Sequence, residues 1–382
     1  MKNGLWMAAL LLTAAAAGAA ENDITKIDKN FAEVKVENRP VRYYDALNDP
    51  NFVVTGFPWR KPGAPLLRIP ERLLAGDLVN AGVKGLSRHT SGGMIRFRTD
   101  SKYIAIRAAV GTSDMNHMPR NGSAGFDIYS LIDGKWMFRR VVGPSYAALK
   151  TGKFEVLLLK WTRSGMNEYL INMPLYSPVH SLQIGLSPEA KLEAPAPWKI
   201  AKPVVFYGSS ITQGGCASHP GNNYTAILSR ELSAPQINLG FSGSAKGEPA
   251  MAEAIAELDM AAFVLDYDHN APNVEHLQNT HFYAYEAVRK AHPDIPIVIV
   301  SKPDFRYHSD ENVLRRNVVY GSFIKAYESG DRNVFFVDGA QLFDPDVRTD
   351  CTVDGCHPND LGFCGMAKTI GAVLEAALDR HF

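Results

Sequence analysis

From Pro203 onward, short apolar runs alternate five times with longer segments of mixed polarity, and no other feature of the chain constrains its fold so tightly. Strands are expected near 203–207, 236–240, 262–267, 295–300 and 333–338, with helices over 223–233, 249–258, 274–291, 311–329 and 360–379. Continuous β-branched runs belong to strands buried on both faces, and five β/α units of this kind imply a parallel, doubly wound, flavodoxin-like sheet. Open sheets of that class place their chemistry at the carboxyl ends of the strands. The first run, Val204-Val205-Phe206-Tyr207, ends abruptly in Gly208-Ser209-Ser210 and passes on to Gly214-Gly215. It thus brings hydroxyls to the sheet edge, with glycines beyond them that admit a close backbone or substrate.

A strand followed by Gly and Ser is by itself an ordinary turn. A phosphate cradle is disfavoured, because neither G-x-x-x-x-G-K-[ST] nor G-x-G-x-x-G occurs here. The partners further along set this stretch apart. A serine hydroxyl needs a base to become a nucleophile, and the base needs an orienting group. Asp354-Gly355-Cys356-His357-Pro358 holds an Asp and a His three residues apart. Asn238-Leu239-Gly240-Phe241-Ser242-Gly243 and Asp266-Tyr267-Asp268-His269-Asn270 each follow an apolar run, so both should open onto the same edge.

In this order, the four blocks resemble those of the SGNH, or GDSL-like, serine hydrolases over roughly residues 200–380. Gly125-Phe126-Asp127-Ile128-Tyr129 resembles the G-x-D-L-Y motif of the branch that carries an amino-terminal β-domain. The resemblance implies the SGNH hydrolase fold, in agreement with the β/α alternation. It casts Ser210 as nucleophile, with Ser209 as the alternative, His357 as base and Asp354 as the group that orients it. The oxyanion hole is expected from Ser210, Gly243 and the Asn270 amide, with Gly240 competing for the second place. Two departures stand out. Ser209 occupies the usual Asp position of the first block, and Asp268-His269-Asn270-Ala271 stands for Gly-x-Asn-Asp. The resemblance further implies a secreted serine esterase acting on short acyl esters, acetyl above all, of carbohydrates. The alternatives are a lipid or thioester hydrolase, which needs an apolar trough beside Ser210, and a non-catalytic glycan-binding protein.

Ahead of this domain, residues about 41–182 form short strands separated by turn residues. Met94–Arg98, Tyr103–Ala108 and Phe126–Ile132 are among them, the last running into Asp133-Gly134, a hairpin signal. A β-sandwich of jelly-roll type is expected over 21–185, a Pro-rich linker over 186–202, and the catalytic domain over 203–382. Asp127 reads as structural, bonding a turn. The loop 116–122 is a candidate substrate rim, with His117, Met118 and, from the other domain, Tyr224. Residues 1–20 carry Lys2, an apolar core from Leu5 to Ala17, and Ala17-Gly18-Ala19-Ala20. That is the pattern of a removable export signal, which places the protein in the periplasm or outside the cell. No later stretch reaches eighteen apolar residues, so no integral membrane segment is expected after its removal.

Forty basic residues balance forty acidic ones, which argues against a nucleic-acid partner. A small-molecule or polysaccharide ester remains as the partner, and the oligomeric state is left open. No cofactor or metal is expected. Asp266-x-Asp268-x-Asn270 begins like a calcium loop, but Leu277 falls where a bidentate Glu is required. The four cysteines contain no CxxC pair. If Ser210 and His357 meet, Cys216 and Cys356 lie close enough to suggest a disulfide tying the two loops. A local Cys351–Cys356 bridge is the rival, and four small buried thiols the remaining option.

Overall fold

The computed structural model describes residues 24–28, 36, 38–111, 115–303 and 310–380, so the expected export signal lies outside the described residues. A single turn, α1 (Ile24–Ile27), precedes a β-rich region. Its strands are β1 (Arg42–Asp45), β2 (Val53–Thr55), β3 (Met94–Thr99), β4 (Ile104–Val110), β5 (Phe126–Ile132), β6 (Lys135–Val142), β7 (Lys153–Leu159), β8 (Asn167–Asn172), β9 (Val179–Leu186) and β10 (Leu192–Glu193). They form two antiparallel sheets, ordered β1-β9-β4-β7 and β10-β3-β8-β5-β6, with β2 added to β3. Period-two alternation explains the packing: Ile104, Ile106, Ala108 and Val110 of β4 share one core with Ile95 and Phe97 of β3 and with Tyr169 and Ile171 of β8. The hairpin between β5 and β6 turns on Asp133 and Gly134, both left-handed (φ 50° and 76°), as a two-residue primed turn requires.

The expected linker is not free of the sandwich, because β10 pairs with β3 through Leu192 and Glu193. Conversely, the stretch between β2 and β3, which includes the short helix α2 (Ala81–Leu86), leaves the sandwich. Its Ile69, Leu73, Val79 and Val83 join the core built on Val205, Tyr207 and Leu239 of the second domain. A further single turn, α3 (Arg120–Ser123), precedes β5.

The second domain alternates β11 (Val204–Gly208), α4 (Ser210–Gln213), α5 (Tyr224–Leu232), β12 (Gln236–Gly240), α6 (Pro249–Ala256), β13 (Ala262–Asp266), α7 (Val274–Ala291), β14 (Ile297–Val300), α8 (Asp310–Glu328), β15 (Val334–Val337) and α9 (Asp360–Leu378). The five strands are all parallel and ordered β12-β11-β13-β14-β15. From β11 the chain moves to β12 on one side and then crosses to β13 on the other. The carboxyl end of β11 is therefore the switch point, where such sheets open a crevice. Val205 and Tyr207 face one core while Val204 and Phe206 face the other, so β11 is buried on both sides. Among the described residues, only α9 is long and apolar enough to cross a membrane; its Phe363, Met366, Ile370 and Leu374 are buried in the core.

Candidate active site

Gly208 ends β11 because nothing larger fits: a Cβ there would collide with the Thr212 hydroxyl and the Asp266 carbonyl. Ser209 then caps α4, its Oγ accepting the Ile211 N–H at 3.1 Å. The Ser at the place of the usual Asp thus holds the turn by a local bond. One turn later Gly214 (φ 101°) closes the helix in the left-handed region. Ser210, the first residue of α4, is held at the switch point.

The Ser210 hydroxyl lies 2.8 Å from His357 Nε2, and His357 Nδ1 lies 2.7 Å from Asp354 Oδ2. Asp354 Oδ1 accepts the backbone N–H groups of Cys356 (3.0 Å) and His357 (2.7 Å). A carboxylate at Nδ1 fixes the proton there, leaving Nε2 to accept from the serine. Burial raises the Asp354 pKa, but the bonds from His357 and the Cys356 N–H outweigh it and hold the carboxyl below its ordinary range. Contact with the Cys356 side chain, then the bond to Asp354, push the His357 pKa up to about 9 against the opposing effect of burial.

The oxyanion candidates separate clearly. The N–H of Gly240 is spent on Asn238 Oδ1 at 2.9 Å. Those of Ser210 and Gly243 meet no acceptor among the described residues. Asn270 Nδ2 gives one hydrogen to the Phe241 carbonyl at 2.9 Å and keeps the other. The loop in which Ala271 follows Asn270, where an Asp was the expected residue, is held by other means. Asp268 accepts the Lys302 N–H at 2.9 Å, and Arg315 of α8 donates to the carbonyls of Asp268 (3.0 Å) and Ala271 (2.8 Å).

Residues that motif reading passed over support this edge. Gln213 accepts the Ser242 N–H at 2.9 Å and donates to Leu175 O at 3.1 Å. From the sandwich, Ser91 donates to Gln213 O at 2.6 Å and Tyr176 to Ser210 O at 3.3 Å. Asp127 accepts from His219 Nδ1 (2.6 Å), Gly221 N–H (2.5 Å) and Asn172 (2.7 Å), so the G-x-D-L-Y acid clamps the loop that follows Ser210 and α4. Of these, Asp127 was marked in the sequence by its motif as bonding a turn, whereas Ser91, Gln213 and Tyr176 stand in turn-like stretches that carry no such signal.

Three expectations need correction. Tyr224 is no rim residue: it is fully buried, its hydroxyl donating to Asp266 at 2.9 Å. Met118 is also buried, in the cluster of Leu175, Tyr176, Ile211 and Ala217, whereas His117 is exposed, as are Asn116, Pro119 and Asn121 of the same loop. The Cys216–Cys356 disulfide is absent, as is Cys351–Cys356, since all four cysteines are free thiols. Cys216 sits buried in the left-handed region (φ 76°), while Cys356 Sγ is turned to His269 Nε2 at 2.9 Å. Burial first, then the charges of Asp354 and Cys356, push the Cys216 thiol up to about 11. Asp354, Cys356 and His357 also bring ligating atoms within 4.8 Å of one another. A groove of 880 Å³ runs along α6, α7 and α8 and includes none of these groups.

Residues 201–375 match the GDSL-like lipase/acylhydrolase family, and residues 41–192 match the GxDLY domain, the amino-terminal part of SGNH-hydrolase-type esterases. No curated protein matches the chain. Among solved structures, one from Bacteroides ovatus, described as a GDSL-like lipase, is 28% identical over 89% of this chain and 98% of its own, with a TM-score of 0.79. A salicylyl-acyltransferase from a tetracycline biosynthetic pathway is 21% identical over 89% and 98%, at 0.72. A family two carbohydrate esterase from Clostridium thermocellum is 17% identical over 76% and 94%, at 0.54. The last two are likenesses of fold.

Proposed function

Over its carboxyl-terminal half this chain belongs to the GDSL-like lipase/acylhydrolase family, and we propose that it is an exported serine esterase that removes short acyl groups, acetyl foremost, from carbohydrates. Ester hydrolysis is what the family supports. The carbohydrate alcohol is suggested by the fold shared with a carbohydrate esterase, and export by the leader pattern of residues 1–20.

The observation that carries the reading is the unbroken relay from Ser210 through His357 to Asp354. His357 Nε2 takes the serine proton as Oγ attacks the acyl carbonyl. Asp354 keeps the ring in the correct tautomer and stabilises the imidazolium. Charge on the carbonyl oxygen is met by the N–H groups of Ser210 and Gly243 and by the Asn270 amide. When the tetrahedral adduct collapses, His357 returns the proton to the leaving alcohol. Water, activated by the same nitrogen, then releases the acid and frees Ser210.

Ser210→Ala should lower p-nitrophenyl acetate hydrolysis by roughly a millionfold. The thermal transition should stay within a few degrees, and covalent labelling by a fluorophosphonate should disappear. Labelling that moves to Ser209 would overturn the assignment. Preference for the acetate over the octanoate ester, with acetate released from acetylated polysaccharide, supports the substrate class. An enzyme fast only on the octanoate would be a lipid-type hydrolase instead.

A further inference from the structure

Cys356 and His269 play no part in the acyl-transfer steps above, yet they meet beside the relay. The Cys356 sulfur lies 2.9 Å from His269 Nε2, and the two residues come from different loops, one following β13 and one preceding α9. The ligating atoms of Cys356, His357 and Asp354 fall within 4.8 Å of one another. One lip of the site therefore gathers a thiol, two imidazoles and a carboxylate. Sulfur with imidazole nitrogen is the donor set of zinc and related soft cations, whereas magnesium and calcium take oxygen.

We propose that Cys356, His269 and His357 bind a soft divalent cation, zinc in the first instance, and that its binding silences the esterase; the second half of this proposal rests on the hydrolase reading above. Three protein donors leave one position for water, a coordination zinc commonly adopts. Donors around tetrahedral zinc stand roughly 3.5 Å apart, so the Cys356–His269 pair need open by only a fraction of an ångström, while His269, which meets the cluster through Cys356, must turn toward His357 to complete the set. Asp354 already accepts three hydrogen bonds and stays outside the donor set. Binding expels the thiol proton of Cys356 to solvent, along with any proton on the ligating imidazole nitrogens. Both nitrogens of His357 are engaged, Nε2 by Ser210 and Nδ1 by Asp354. A cation on either one breaks the relay, so occupancy and turnover exclude each other.

The test uses the purified protein, stripped with EDTA and desalted. Micromolar Zn²⁺ should slow p-nitrophenyl acetate hydrolysis by roughly tenfold or more, with recovery on adding EDTA and no response to Mg²⁺ or Ca²⁺. Independently of substrate, Co²⁺ should produce a sulfur-to-cobalt charge-transfer band. Cys356→Ala should abolish the band, and both it and His269→Gln should weaken zinc binding by roughly tenfold or more, each judged against its own metal-free rate. If Cys356→Ala fails to fold, Cys356→Ser carries the same test. A band that survives in the Cys356 variant, or zinc binding of unchanged strength, overturns the site. Because the cobalt band needs no turnover, a chain that binds metal but cleaves no ester refutes the hydrolase reading and leaves the site standing.

Discussion

At His357 two neighbours act in the same direction. The Cys356 side chain and the Asp354 carboxylate both favour the charged ring, which brings its pKa to about 9. In the proposed mechanism His357 must be neutral to take the serine proton, so activity should rise with pH toward that value. At pH 7, two units below, roughly one part in a hundred of the enzyme is competent, and kcat/KM should lie about a hundredfold under its plateau. A pH–rate profile on an acetate ester reads this directly, and an acid limb centred at the ordinary histidine value would refute it. Asn270→Ala makes a complementary prediction. The amide is needed mainly in the transition state, so kcat should fall roughly a hundred- to a thousandfold with KM little changed. The Gly243 N–H has no such handle, being backbone. The meeting of Ser210, His357 and Asp354 was legible because each sits in a short motif. Burial was not. Tyr224 and Met118 stand in polar-looking stretches, and only the packing of α5 and of the loop before α3 places them inside.

The second-domain elements were legible nearly to the residue, since a strand buried on both faces cannot be mistaken for a half-exposed helix; β12 and α7 match their expected bounds at Gln236–Gly240 and Val274–Ala291. Pattern alone says nothing, however, about what fills the strand ends. Asp266 ends β13 beneath the Ser210 turn, buried, accepting from Thr212 at 2.8 Å and from Tyr224 at 2.9 Å. Burial raises its pKa to about 7, although both hydroxyl bonds oppose the rise. The folded chain therefore holds this proton more tightly than the unfolded one. Stability from this source is complete below the ordinary carboxylate range near pH 4 and declines as pH rises through 7. Asp266→Asn keeps an acceptor oxygen for both hydroxyls but does not titrate. Relative to wild type, the variant should gain stability between pH 4 and 8, by up to a few kcal/mol. Thermal melts across that range test this. Parallel curves would mean that Asp266 stays ionised throughout.

The whole molecule departs most from its sequence-level outline at the boundary between its halves. A Pro-rich linker suggested two bodies joined by a strap, yet the structure interleaves them. The stretch between β2 and β3 packs into the second-domain core, Asp127 clamps the loop at His219, and Arg68 crosses from one half to the other. Arg68 is fully buried, and its four bonds all go to backbone carbonyls: Leu86 at 2.8 Å, His89 at 2.9 Å, Asn238 at 3.0 Å and Gly240 at 2.7 Å. Its guanidinium also sits 4.6 Å from the centre of the Phe241 ring. Burial pulls its pKa down to about 9, so at neutral pH it remains charged. Arg68→Met fills similar space but strands these carbonyls, at about 1–3 kcal/mol for each buried group left unpaired. The loss should therefore reach several kcal/mol. Because Asn238 and Gly240 lead into the loop carrying Gly243, activity should fall before global unfolding begins. In calorimetry the wild-type chain should melt in one cooperative transition, since the second-domain core is completed by Ile69, Leu73, Val79 and Val83 from the first half. Two resolved transitions, with the second domain still active after the first, would show instead that the halves fold independently and that Arg68 only fastens them together.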